Sequence, residues 1–284
     1  MSIDNLRLIV WDGIIPVRII LDPEESRVYD QANAYYLAVP RVSYLSLYNK
    51  SIINFFWEYL LEPEAATDIN LWFEFENAPL KWHWPIGLLY DLHSGFNPER
   101  PGSEPKIPFT LILHFKDYPT AHLPLRHTSF AIYDAFMNLV KEADFMRNGN
   151  AKGVLSLSKE MSNQLWEGLS KPMTDEYDQY YSVASRIFTY DAETRVLPVR
   201  IYLPSGAPVV QKIINSGKEE TIGTMLHVTL PALFPSRKSL FFAKPMIHGI
   251  ILDLDMPLLE VGSQLAYPDG WMHIVILMKE KNKG

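Results

Sequence analysis

The octapeptide IIPVRIIL, Ile14–Leu21, returns late in the chain as VLPVRIYL, Val196–Leu203. Pro-Val-Arg-Ile and the final Leu coincide, and every other position exchanges one apolar residue for another. A repeated strand-like segment means one supersecondary unit built twice, so the surroundings of the two copies are read together. Around the first copy, the apolar run Leu6–Val10 and the turn dipeptide Asp12-Gly13 predict a hairpin with Ile14–Leu21. An amphipathic helix over 44–61, a strand over 71–75, a short helix over 87–93 and a strand over 109–115 follow. Around the second copy, strands over 195–203 and 209–214 flank the turn residues 204–208. A helix over 222–233, a strand over 249–254, a short helix over 257–266 and a strand over 272–278 complete it. Both runs read ββ-α-β-α-β, the order of a β-grasp, in which a helix covers one face of a mixed sheet. Between them, apolar stripes predict helices over 129–147, 158–169 and 176–188. The expected class is α+β, with two ubiquitin-like (β-grasp) domains flanking a helix-rich domain. The expected boundaries are 1–120, 121–190 and 191–284.

Composition narrows the chemistry. The chain of 284 residues has no cysteine, which excludes disulfides, thiol nucleophiles and cysteine-ligated zinc. Its net charge of −7 argues against general nucleic-acid binding. Residues 1–120 carry 9 Lys+Arg against 16 Asp+Glu, and residues 189–284 carry 10 against 9, so the acidic excess lies at the front. The last domain and the helical region are therefore the expected faces toward an anionic membrane. No window approaches the length of an apolar membrane span, and the opening residues lack the basic start of a secretory signal; a cytoplasmic protein is expected.

Catalytic motifs are missing: there is no G-x-S-x-G, H-E-x-x-H or phosphate-binding glycine loop. His122 and His127 are spaced five apart in a proline-bearing stretch, which does not suit a metal, and no cofactor is expected. Glu74 with Glu76, and Asp253 with Asp255, share a face if both pairs lie in strands, although alternating charge on a solvated strand does the same. Trp72, Trp82 and Trp84 surround a turn with only Lys81 among them, which favours core packing or a protein partner over base stacking. The segment NGNAKGVLSLS, Asn148–Ser158, places Lys152 alone in a small-residue joint between two predicted helices. By itself that is a solvated loop lysine.

Several segments resemble the autophagy protein 5 family. LIVWDGIIPV is similar to that family's opening; LKWHWPIGLLYD is similar to its Pro-Trp-His-Tyr-Pro-Ile-Gly-Leu-Leu-Phe-Asp segment, with Lys81 where the family has Pro; KEAD (Lys141–Asp144) and QLWEGL (Gln164–Leu169) recur in its helical region. The loop 96–108 is richer in Pro and charge than the family pattern. The resemblance implies two ubiquitin-like domains around a helical one and a noncatalytic role. It implies that Lys152 accepts the C-terminal glycine of autophagy protein 12 by an isopeptide bond. With the coiled-coil autophagy protein 16, the conjugate would promote E3-like transfer of autophagy protein 8 to phosphatidylethanolamine at autophagosome precursor membranes. Conjugating enzymes of the autophagy protein 7/10 and 3 type would be transient partners, and peripheral membrane contact is compatible with the charge pattern. Within this reading Glu142, Gly149 and Gly153 support the joint, Glu142 through pairing with Lys141 or Arg147, and Trp11, Trp82, Trp84 and Gly87 serve partner binding. The alternatives are a non-covalent ubiquitin-like interaction module and a hydrolase assembled from scattered His and Asp residues.

Overall fold

The computed structural model describes residues 3–28, 33–170, 174–191, 193–194, 196–204, 206–217 and 219–279. The chain forms two compact units. One comprises Gly13–Ser94 and Pro105–Phe136; the other comprises Met1–Asp12, Gly95–Glu104 and Met137–Gly284.

In the first unit, β1 (Ile14–Leu21) pairs antiparallel with β2 (Tyr35–Pro40) and parallel with the last strand, β5 (Phe109–His114). The short β3 (Trp72–Phe75) and β4 (Ala78–Pro79) extend the sheet to the order β2-β1-β5-β3-β4. Ile15, Val17, Ile19 and Leu21 are buried, the alternation expected when one sheet face is covered. The helices are α2 (Asn49–Phe56), flanked by single 3-10 turns at Leu45–Tyr48 and Trp57–Tyr59, and α3 (Ile86–His93).

The second unit repeats the plan. β6 (Val196–Tyr202) pairs antiparallel with β7 (Val210–Asn215) and parallel with β10 (Met272–Met278), while β8 (Ala243–Ile247) and β9 (Ile250–Ile251) give the order β7-β6-β10-β8-β9. α8 (Ile222–Thr229) and α9 (Leu258–Leu265) are its helices. The repeat is matched in register: Val17 stands opposite Phe109 and Val199 opposite Met272, each the first residue of the parallel pairing. Pro16 and Pro198 come one residue earlier, so no ladder bond on that side needs the N–H that proline lacks. The helical region in sequence between the sheets is α4 (Ala131–Asn148), the one-turn α5 (Lys152–Leu155), α6 (Lys159–Ser170) and α7 (Thr174–Ile187).

Three expectations are corrected. Residues Ile3–Trp11 form a helix, α1, and the strand that pairs antiparallel with β1 is β2. Arg7, Val10 and Trp11 supply the reason: at spacings of three and four they lie on one helical face, where Arg7 bonds the Ser263 carbonyl and Trp11 packs among Tyr177, Tyr180 and Tyr181 of α7. The single helix expected over 44–61 is broken into α2 and its two 3-10 turns. In the C-terminal repeat the strand expected over 249–254 is only β9, and β8 precedes it. Arg195 and Ser205, parts of the expected second hairpin, lie outside the described residues.

Candidate functional site: the Lys152 knuckle

α4 ends because Gly149 takes φ 68°, a left-handed conformation that closes the helix with Gly149 N–H donating to the Phe145 carbonyl at 2.8 Å. The chain then turns under side-chain control. Asn150 Nδ2 donates to the Asn148 carbonyl at 3.0 Å, and Asn150 Oδ1 accepts the Lys152 N–H at 3.1 Å. One helical turn follows, with Leu155 N–H on the Ala151 carbonyl and Ser156 N–H on the Lys152 carbonyl, both at 3.0 Å. Ser158 Oγ then accepts the Met161 N–H at 3.2 Å and caps α6. The small-residue joint is thus a hydrogen-bonded knuckle. Lys152, at the first position of its turn, is exposed; Val154 is buried beneath it and Leu155 is 71% exposed.

Asp144, which sequence reasoning passed over, sits under the knuckle. Its carboxylate is 1% exposed and accepts the Val154 N–H at 2.9 Å and Asn148 Nδ2 at 2.8 Å. Gly153 lies directly against it: a Cβ there would stand 2.9 Å from Asp144 Oδ2. The available signal was the KEAD segment itself, whose last residue lies one helical turn before Asn148.

The other predicted residues fall elsewhere. Glu142 does not pair with Lys141 or Arg147. Its carboxylate accepts from Arg200 Nη2 at 2.7 Å and Gln211 Nε2 at 2.9 Å, tying α4 to β6 and β7, and the Arg200 guanidinium covers the Trp271 ring at 4.2 Å. Arg147 instead bonds the Tyr190 hydroxyl at 2.7 Å. Trp11 is 1% exposed, so it is core and presents no surface to a partner. Trp82 is buried, its indole N–H on the Pro124 carbonyl at 2.9 Å, whereas Trp84 is half-buried with Lys81 over its ring at 5.2 Å. Gly87, second residue of α3, packs so closely on residue 41 that an added Cβ would lie 2.7 Å from the Arg41 carbonyl oxygen.

The carboxylate pairs dissolve. Glu74 is in β3 but Glu76 is in the β3–β4 turn at φ 46°, paired with Lys106 at 2.9 Å, and Asp253 and Asp255 lie outside any strand. Among the described residues one cluster has metal-ligand character, Asp22, Glu25 and His114. There His114 Nδ1 bonds Asp22 at 2.9 Å, and Glu25 is engaged by the backbone N–H groups of Phe115 and Lys116. A buried chain Tyr202–His273–Asp269, at 2.7 and 2.9 Å, has the outline of an acid-base relay. His273 and Asp269 are each 1% exposed, and burial pushes the Tyr202 phenol well above its ordinary value, so the chain is a core hydrogen-bond network closed to substrate.

Known proteins place the arrangement. The profile described as "Autophagy protein ATG5, UblA domain" matches residues 10–115, the alpha-helical bundle region of the same protein matches 131–190, and its UblB domain matches 196–276. The Autophagy protein 5 of Penicillium rubens is 36% identical over 98% of each chain, and that of Aspergillus terreus is 38% identical with the same coverage. The crystal structure of Kluyveromyces marxianus Atg5 shares the fold, with a TM-score of 0.80 at 24% identity over 96% of this chain and 100% of that one. With two ubiquitin-like domains flanking a helical region, matched in order and along almost its whole length, the chain belongs to the autophagy protein 5 family and has its role in autophagy.

Proposed function

We propose that Lys152 is the isopeptide acceptor for the C-terminal glycine of autophagy protein 12. The conjugate, with the coiled-coil autophagy protein 16, then promotes transfer of autophagy protein 8 to phosphatidylethanolamine. The observation that carries this reading is the placement of Lys152 on an ordered, narrow knuckle: the amine is exposed, and Asn150, Ala151 and Gly153 beside it add little bulk. The covalent step is acyl transfer. The deprotonated Nζ attacks the thioester carbonyl carbon of the modifier held on its carrier, a C–N bond forms, the C–S bond breaks, and the thiolate leaves and takes up a proton. The amine attacks only in its neutral form, and removal of its proton falls to the carrier's site. The chain contributes the amine and its presentation and acts as a noncatalytic scaffold. Enzymes of the autophagy protein 7/10 and 3 type would act on it in passing, in the cytoplasm and peripherally at autophagosome precursor membranes. The surface around half-buried Trp84, shaped from below by Trp82 and Gly87, is the proposed contact for the coiled-coil partner. Boundaries near residues 120 and 190 belong to the same proposal.

The Lys152→Arg variant tests it. Arginine keeps the charge but stays protonated and cannot serve as the attacking amine. The variant should fold, within about 0.5 kcal/mol of the parent as an exposed substitution, and the slower-migrating conjugate on a denaturing gel should vanish. Lys141→Arg and Lys159→Arg, in α4 and at the start of α6, should leave the conjugate intact. A conjugate persisting on Lys152→Arg would remove the proposal.

A further inference from the structure

We infer that Asp144 positions the acceptor: its buried carboxylate holds the one-turn helix α5 in the orientation from which Lys152 attacks. The inference rests on the reading of Lys152 as acceptor. A carboxylate taken out of water is costly unless its oxygens are hydrogen-bonded. Asp144 uses Oδ1 on Asn148 at the end of α4 and Oδ2 on the Val154 N–H, two residues beyond Lys152. One side chain thus spans the knuckle from below. The Lys152 backbone is fixed on the other side by Asn150, through the 3.1 Å bond from its own N–H. Gly153 completes the fit, because the position its Cβ would occupy is 2.9 Å from Oδ2 and 3.3 Å from Cγ of Asp144. Only the four-carbon stem of the lysine is left to move.

Asp144 does not reach the reacting atoms, so its effect is on geometry and not on the amine's chemistry. Acyl transfer from a carrier requires the nitrogen on a particular approach line, and a displacement of about 1 Å can cost on the order of a hundredfold in rate. A small acylating reagent free in solution has no such requirement. Asp144→Asn retains shape but sets an NH2 group against one of the two donors that the carboxylate now accepts. Gly153→Ala attacks the same contact from the half-buried side, by pressing on the carboxylate while Asp144 itself is kept.

The test uses the full chain with the thioester-charged modifier on its carrier. Both Asp144→Asn and Gly153→Ala should slow conjugation about tenfold or more at saturating carrier, with the KM for the carrier unchanged. Labelling of Lys152 by a small N-hydroxysuccinimide ester, read by peptide mapping, should stay within about twofold of the parent. The double variant should be no slower than the slower single one, because both changes break one contact. If Asp144→Asn does not fold, Gly153→Ala decides alone. Conjugation of a folded Asp144→Asn or Gly153→Ala protein at the parental rate overturns the inference, as does an equal loss in ester labelling. Lys152→Arg run alongside separates the readings: a conjugate that survives it removes the acceptor itself, whereas its loss with full activity in the Asp144 and Gly153 variants removes only the positioning role.

Discussion

Gly149 and Gly153 look alike in the sequence, two small residues flanking a lysine, but they serve different physical ends. Gly149 has nothing within 4 Å of where its Cβ would be and is required for φ 68°; Gly153 has ordinary backbone geometry and is required for space above Asp144. Gly149→Ala should therefore destabilise by about 1–2 kcal/mol through the backbone alone, measured by urea unfolding, and Gly149→Asn should be the milder change because Asn tolerates the left-handed region better than Ala. The lysine and its small neighbours were legible because residue type alone conveys access. Asp144 was not, since a carboxylate in a helix gives no sign of which backbone N–H it will meet ten residues later. A second residue-scale prediction concerns His93 in α3. Burial is the main force holding its imidazole below the ordinary value, partly opposed by the nearby Glu76 charge. The unfolded chain then binds a proton that the folded chain resists, so the stability associated with His93 is present above about pH 6.5 and is lost as pH falls through the folded value. Urea midpoints at pH 7.5 and 5.5 should fall less for His93→Gln than for the parent; identical slopes would show that His93 is not involved.

At the scale of elements, helix and strand were distinguished well where a period ran long, as in α4, α6 and α7, and poorly where an apolar run was short. Leu6–Val10 satisfies both a strand and a helical turn, and the distinction rests on Trp11, whose partners on α7 are far away in sequence. The Asp12-Gly13 dipeptide reinforced the error, being a good hairpin turn that here links α1 to β1. The 3-10 turns around α2 have a similar origin, since no Gly or Pro marks where α-helical geometry stops. The partners of Glu142 were hidden for the same reason: Arg200 and Gln211 come from β6 and β7. Glu142→Asp withdraws the carboxylate by one methylene and should lose most of this charge-assisted pairing, about 1–3 kcal/mol. Thermal unfolding should show the loss. We expect a partial decrease in conjugation alongside it, because α4 carries Asp144 as well; conjugation at the parental level in the destabilised protein would separate the two effects.

At the scale of the whole molecule, the repeat of Pro-Val-Arg-Ile forecast two sheets of one topology, and the matched register of β1 with β5 and of β6 with β10 is what that repeat encodes. Allocation of the chain between the two compact units was beyond it. α1 belongs with the unit that contains the second sheet, where Arg7 meets α9 and Trp11 meets α7. Trp11→Ala should cost about 3–5 kcal/mol, and hydrogen exchange should report the damage in α7 and α9; loss of protection confined to β1 and β2 would contradict that assignment. The separation between Arg7 and Ser263 is 256 residues. At a synthesis rate of about 5–20 residues per second, roughly 10–50 s pass between the emergence of α1 from the ribosome and that of the surface that buries it. Through that interval α1 lacks the part of its seat that α9 supplies, so a helix made early is among the last to reach its full set of native contacts, and its protection in the meantime falls to whatever covers nascent chains.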